Sequence, residues 1–247
     1  MPTDLDPQSA RMQLAALADA VATGRGGSGF TAFADEPVLR DARSAAVLIL
    51  FGVLDDLPSD HDAQASAVSR DLDVLLLARA ETLRAHPGQI AFPGGRLDPH
   101  DDGPVGAALR EAQEETGLDP DGVDVLGTLE AVPLTFSRHL VTPVLGWWRH
   151  PSAVRVVDER ESADVFRAPV ADLLDPANRG SIVVTRGEQR FRSPGFLVPR
   201  ADRPGAHLVW GFTGALLDGL FDRLGWTEPW DAARELPLPP LGDDNGR

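Results

Sequence analysis

The sequence contains no cysteine, which excludes disulfides, thiolate metal sites and a cysteine nucleophile. The default compartment is then the cytoplasm. Lysine is absent as well, so arginine supplies the positive charge, and the formal net charge is −15. That balance argues against nucleic acid as a partner, because phosphate contacts along a polymer need clustered Lys and Arg. A small anionic substrate stays open, since a bound metal and a few local arginines reverse the field inside one site. No apolar run reaches the length of a membrane span, and no basic region followed by a hydrophobic one stands at the N-terminus. Neither a membrane partner nor export is expected. At 247 residues the chain suffices for one substantial domain with extensions.

What is present centres on residues 103–118. Val105, Ala108, Leu109 and Ala112 recur at helical spacing and predict one apolar face. Pro104 suits a first helical turn, Asp102 and Gly103 precede it as caps, and Gly117 suits a left-handed stop. On such a helix Glu111, Glu114 and Glu115 stand at i, i+3 and i+4, so their carboxylates share one side and repel. Arg110 can pair with Glu114 but cannot balance all three. A solvated acidic face is one reading; a hard divalent cation, Mg²⁺ or Mn²⁺, is the other.

The segment ahead of the helix favours the second reading. A strand over 74–78 leads to Gly88-Gln89-Ile90-Ala91-Phe92-Pro93-Gly94-Gly95. Paired glycines allow close backbone approach to a ligand, and Pro93 stiffens the entry. Gly95, Asp101 and the run Arg110-Glu111-Ala112-Gln113-Glu114-Glu115-Thr116-Gly117-Leu118 together resemble the Nudix box. That box usually reads G-x5-E-x7-R-E-U-x-E-E-x-G-U. Here Asp101 replaces a Glu, and one extra residue precedes Arg110.

The longer spacing is a feature of one Nudix branch, the coenzyme A pyrophosphatases. The upstream run Leu75-Leu76-Leu77-Ala78-Arg79, then Leu83-Arg84-Ala85-His86-Pro87-Gly88-Gln89, then Phe92-Pro93-Gly94-Gly95, is similar to that branch's signature. Many fixed positions in tandem make the match specific.

Taken in order, residues 1–43 are expected to form an extension, with Met12, Leu14, Leu17, Ala18 and Val21 on an amphipathic helix before a glycine-rich linker. Whether that helix packs on its own domain or on a second subunit of a homodimer is open. Residues 45–52 read as a buried strand, 55–70 as a loop, and 123–132 and 140–148 as strands. Thr135, Ser137, Arg138 and His139 lie on the connection between the last two. Glu161 precedes an apolar run and Pro169, as a glutamate does in Nudix enzymes. Residues 181–185 and 189–192 predict a hairpin. Trp210-Gly211-Phe212-Thr213 is similar to the W-G-x-T segment that opens the branch's last helix. From about Glu228 the proline-rich, polar sequence reads as a mobile tail.

The resemblance spans roughly residues 44–225, within an expected domain of residues 44–227, and implies an α/β fold, an α/β/α sandwich around a mixed β-sheet, behind the helical N-terminal extension. It implies a metal-dependent hydrolase that cleaves the pyrophosphate of coenzyme A or acyl-coenzyme A to 3′,5′-ADP and 4′-phosphopantetheine. Glu111, Glu114 and Glu115 would hold Mg²⁺ or Mn²⁺, Glu114 or Glu161 would accept a proton from water, and Arg110 would position a glutamate. Arg79, Arg84, His86, Gln89, Phe92, Gly94 and Gly95 would contact substrate. Two rivals stand: a Nudix hydrolase for ADP-ribose or a dinucleotide, and a non-catalytic Nudix-like binding module.

Overall fold

The computed structural model describes residues 7–27, 30, 41–53, 58–83, 87–134, 137–186, 189–200 and 204–238. Its centre is the strand β1, Arg43–Val53, whose apolar residues alternate between two sides as a fully buried strand requires. One edge pairs in parallel with β7, His139–Trp148, in register from Arg43 opposite His139 to Phe51 opposite Trp147. The other edge pairs antiparallel with β2, Leu72–Arg79, at its C-terminal end and with β4, Gly94–Arg96, at its N-terminal end. β3, Ile90–Ala91, and β8, Ser162–Pro169, flank β2, while β5, Val123–Thr128, and β6, Val132–Leu134, flank β7. One parallel pair among antiparallel ones makes the sheet mixed.

The alternation along β1 defines the layers. Ala46, Leu48 and Leu50 pack with Ala107, Ala108 and Ala112 of the helix α2, Gly103–Thr116. Ile49 and Phe51 point to the other side, towards Leu14 of α1, Pro7–Ala22, and Leu216, Leu220 and Phe221 of α4, Gly211–Leu224. Helices therefore cover both faces, as the α/β/α expectation requires. A short helix α3, Val170–Leu174, follows β8. β9, Arg179–Arg186, β10, Gln189–Pro199, and β11, Ala206–Val209, form a second, three-stranded antiparallel sheet. The predicted hairpin is its β9–β10 pair.

The open question about α1 is answered within the chain. Leu14 is fully buried, Gln13 Oε1 accepts a 2.7 Å bond from Trp226 Nε1, and Arg11 pairs with Asp124. This helix packs on its own domain. Truncating Leu14 to Ala would cost about 2–5 kcal/mol by the usual cavity arithmetic.

Two other expectations need correction. The strand read over 123–132 is broken into β5 and β6, because the ladder with β7 shifts register between Val125 and Gly127. Glu130 leaves the sheet there to pair with Arg223 at 2.7 Å. Residues 228–236 do not behave as a loose tail. Glu228 is buried, accepting from Gln64 N–H at 3.0 Å and lying 3.0 Å from His61 Nε2. Trp230 stacks on the Arg179 guanidinium, and Leu236 is buried. Proline and charge hid a segment held by partners far away in the chain.

Candidate functional site

α2 ends as predicted, but at its start Gly103 is already helical and Asp102, in the cap position, makes no side-chain capping bond. Pro104 lies in its first turn, and Gly117 takes the left-handed conformation at φ 70°, returning its N–H to the Gln113 carbonyl at 2.9 Å. With its alanines buried under β1, the helix lines up Glu111, Glu114 and Glu115 on one flank. β4 runs close beside that flank. A Cβ added at Gly95 would lie 2.5 Å from the Glu111 carboxyl carbon and would push that carboxylate aside, whereas one at Gly94 would collide with the Ala46 carbonyl and the Val47 backbone. The Gly94 N–H donates to Glu115 Oε2 at 2.9 Å.

Crowding sets the electrostatics. Burial pushes the Glu115 carboxyl up to about 7, with Glu111 and Glu161 adding repulsion against the opposing help of the Gly94 N–H and Arg79. Burial also raises Glu111, which Arg110 partly offsets, and the Glu114 and Asp101 charges raise it further. Both shifts mark carboxylates lacking sufficient positive charge.

Arg110 is a hub. Its Nε and Nη2 grip the two Asp101 oxygens at 2.9 Å each, Nη1 reaches Glu111 at 3.0 Å and Glu114 at 3.1 Å, and Nη2 also donates to the Arg96 carbonyl at 3.0 Å. The hydrogen bond from Arg110 holds the Asp101 carboxyl at about 2. The sequence predicted the Glu114 pair; it did not reveal that Asp101 anchors the guanidinium. Its place just before the helix was the available signal.

The opposite wall comes from β2. A register shift between Ala78 and Arg79 re-aims Arg79, as bulges do beside sites. Arg79 Nε is buried with no hydrogen-bond partner among the described residues, while the Arg79 charge is felt by Glu115. The Arg79 N–H donates to the Gln89 carbonyl at 3.0 Å. The exposed Glu161 sits immediately before β8, and its carbonyl accepts the Ala80 N–H at 2.9 Å. Thr213 Oγ1, which nothing in the sequence linked to this region, donates to the Ile90 carbonyl at 3.0 Å.

Of the predicted site residues, Glu111, Glu114, Glu115, Arg110, Arg79, Gly94 and Gly95 are brought together, with Glu161 and Gln89 at the margin. Phe92 is not among them. It is 3% exposed within the core beneath the loop, leaving almost no surface for a ligand. Arg84, His86 and Thr135 lie outside the described residues.

Among the described residues no three His, Asp or Glu side chains already converge on one point. Glu111 and Glu114 are turned to Arg110, and Glu115 to Gly94. The donors nevertheless fit a hard dication: all are carboxylate oxygens, and the two with raised values would be relieved by positive charge.

The profile of the family described as NUDIX domain matches residues 60–186. A protein of Photorhabdus laumondii named "Uncharacterized Nudix hydrolase NudL" is 36% identical over 148 residues, covering 60% of this chain and 74% of that protein. Its namesake in Cronobacter sakazakii is 46% identical over 101 residues, covering 41% of this chain. That alignment spans about half, 52%, of the Cronobacter protein's length. A solved structure described as "Crystal structure of a Nudix Hydrolase from M. Smegmatis, RenU" is 25% identical, covers 51% of this chain and 70% of that one, and superposes with a TM-score of 0.38.

Proposed function

The chain belongs to the NUDIX domain family, and from that premise we propose that it is a metal-dependent hydrolase of coenzyme A or acyl-coenzyme A. Water would be added across the pyrophosphate, releasing 3′,5′-ADP and the 4′-phosphopantetheine half. The supporting observation is that Arg79, Gly94 and Gly95, from the coenzyme A-type signature, surround Glu115 and Glu111 of the Nudix box. A small soluble substrate met in the cytoplasm fits this reading.

Nudix hydrolases generally require a divalent metal such as Mg²⁺ or Mn²⁺, and Glu111, Glu114 and Glu115 are the residues that would hold it here. When bound, the ion screens phosphate charge and acidifies a water. The chain's own groups do the rest. Arg110, fixed by Asp101, orients Glu111 and Glu114. Arg79, half-buried and with its charge felt by Glu115, brings a guanidinium suited to a phosphoryl oxygen. Glu114 and Glu161, both exposed, are the proposed acceptors of the water's proton. Gly94 and Gly95 admit the diphosphate to the helix flank.

The test is turnover of coenzyme A, acyl-coenzyme A, ADP-ribose, NADH and diadenosine polyphosphates with Mg²⁺ or Mn²⁺, products being resolved by chromatography. Release of 3′,5′-ADP that disappears in Glu115→Gln is the expected result. Preferred cleavage of ADP-ribose or a dinucleotide would reassign the substrate. Ligand binding with no turnover of any compound would make the protein a binding module.

A further inference from the structure

Positive charge gathers at one end of the sheet, on the face turned away from α2. The β1–β7 ladder sets Arg43 opposite His139, and the β1–β4 ladder sets Arg96 opposite Ala45. Residues directly opposite in a ladder point to the same face, as do residues two apart on a strand. Arg43, Arg96 and His139 therefore share a face. Their strands stand about 4.8 Å apart, so His139 lies directly beside Arg43, while Arg96 lies diagonally on the other side, roughly 6.6 Å further along, a spacing that two long guanidinium side chains can close on one small anion.

Arg43 and Arg96 are both exposed, and neither forms an ion pair among the described residues. Their charges, after burial, hold the His139 imidazole below its usual range, so the three groups lie close in space. Beside them Arg138 takes φ 54°, the only positive value among the described non-glycine residues, and its carbonyl accepts the Arg43 N–H at 2.9 Å. Asp41 faces Arg138 at 3.9 Å. β4 joins the cluster to the carboxylates: Gly95 lies against Glu111, and Arg96, the next residue, faces the other side of the sheet.

We propose that Arg43, Arg96 and His139 form a subsite for a phosphomonoester that the substrate carries apart from the diphosphate it loses. This rests on the reading above, in which the nucleotide half bears a phosphate on its ribose. Two guanidinium forks suit the dianion's oxygens, and the His139 ring, hydrogen-bonded to the Ser137 backbone, walls the subsite beside them. ADP-ribose, lacking a third phosphate, would leave the subsite empty.

Calorimetry with adenosine 3′,5′-bisphosphate and with AMP, Mg²⁺ present, tests the subsite directly. The intact protein should bind the bisphosphate about tenfold tighter or more, as charge-assisted bonds imply. Arg43→Ala/Arg96→Ala should abolish the preference, with Arg43→Gln/Arg96→Gln as a second variant if the first is poorly folded. Equal affinities, no binding of the bisphosphate, or a preference that survives in the folded double variant overturns the proposal. Inorganic phosphate should compete with the bisphosphate; saturable phosphate binding without competition would make the patch a free-anion site and also overturn it. Turnover of coenzyme A against dephospho-coenzyme A separates the two readings. Cleavage of neither ends the coenzyme A assignment, leaving calorimetry to decide the subsite; equal kcat/KM for both ends the subsite alone.

Discussion

The Thr213 hydroxyl donates a 3.0 Å hydrogen bond to the carbonyl of Ile90, 123 residues away in the sequence, and both residues are buried. β3 is only two residues long, and the glycines that approach the acidic helix follow directly. This bond ties that short strand to α4. Thr213→Val keeps the shape but removes the donor, and is expected to cost roughly 1–3 kcal/mol of stability. Denaturant unfolding measures it; an unchanged midpoint would show that the bond contributes nothing.

Asp101→Asn should weaken metal activation. With the carboxylate gone, the Arg110 fork is released towards Glu111 and Glu114, which then compete less well for a cation. A loss of about 10–100-fold in apparent Mg²⁺ affinity is expected, as for other positioning partners of metal ligands. Titrating activity against Mg²⁺ reads it, and Asp101→Glu should restore part of the affinity.

Stability of the metal-free protein should fall as pH rises through neutrality. Glu115 in the folded state titrates near 7, above its ordinary value of 4.5, so the native state binds more protons than the unfolded state between those limits. Its contribution is fully present below about 4.5 and lost as the carboxyl ionises through about 7, an effect on the order of a few kcal/mol. Glu115→Gln should flatten this slope in thermal melts without metal. Mg²⁺ should raise the wild-type melting temperature more at pH 8 than at pH 5.

Glu228→Ala should loosen the loop it clasps. His61 Nε2 and both Gln64 donors lose their acceptor, at a cost of about 2 kcal/mol or more. Hydrogen exchange over residues 58–70 should quicken, while exchange in β1 stays slow. Uniform protection in the variant would mean that the loop is held by its other contacts.

The contrast between α2 and Glu228 shows what a sequence can reveal here. α2 is local: its alanine spacing, Pro104 and Gly117 lie within one short stretch, and periodicity with caps sufficed to place the three glutamates on one flank. β1 was equally plain, being apolar without a break from Ala45 to Phe51. Glu228, Thr213 and Trp230 act through partners more than 50 residues away, and composition around Glu228 pointed the other way. Phe92 failed for a related reason. The motif placed it beside the ligand loop, but only packing reveals that its ring turns inward. The break after β5 depended on a bulge and on Arg223, neither visible in the alternation of residues 123–132.

β1 lies wholly outside the family match, which begins at residue 60, yet it is the strand on which both helical layers rest. Its pairing has a consequence for synthesis. As the chain leaves the ribosome, β2 and β4 can dress one edge of β1 early, but the other edge waits for β7, roughly a hundred residues later. Until then Leu48, Ile49, Leu50 and Phe51 sit on a strand with one side unpaired, the kind of surface that chaperones hold and neighbouring nascent chains stick to. A polypeptide stopped before His139 keeps that edge bare, whatever else of it has folded.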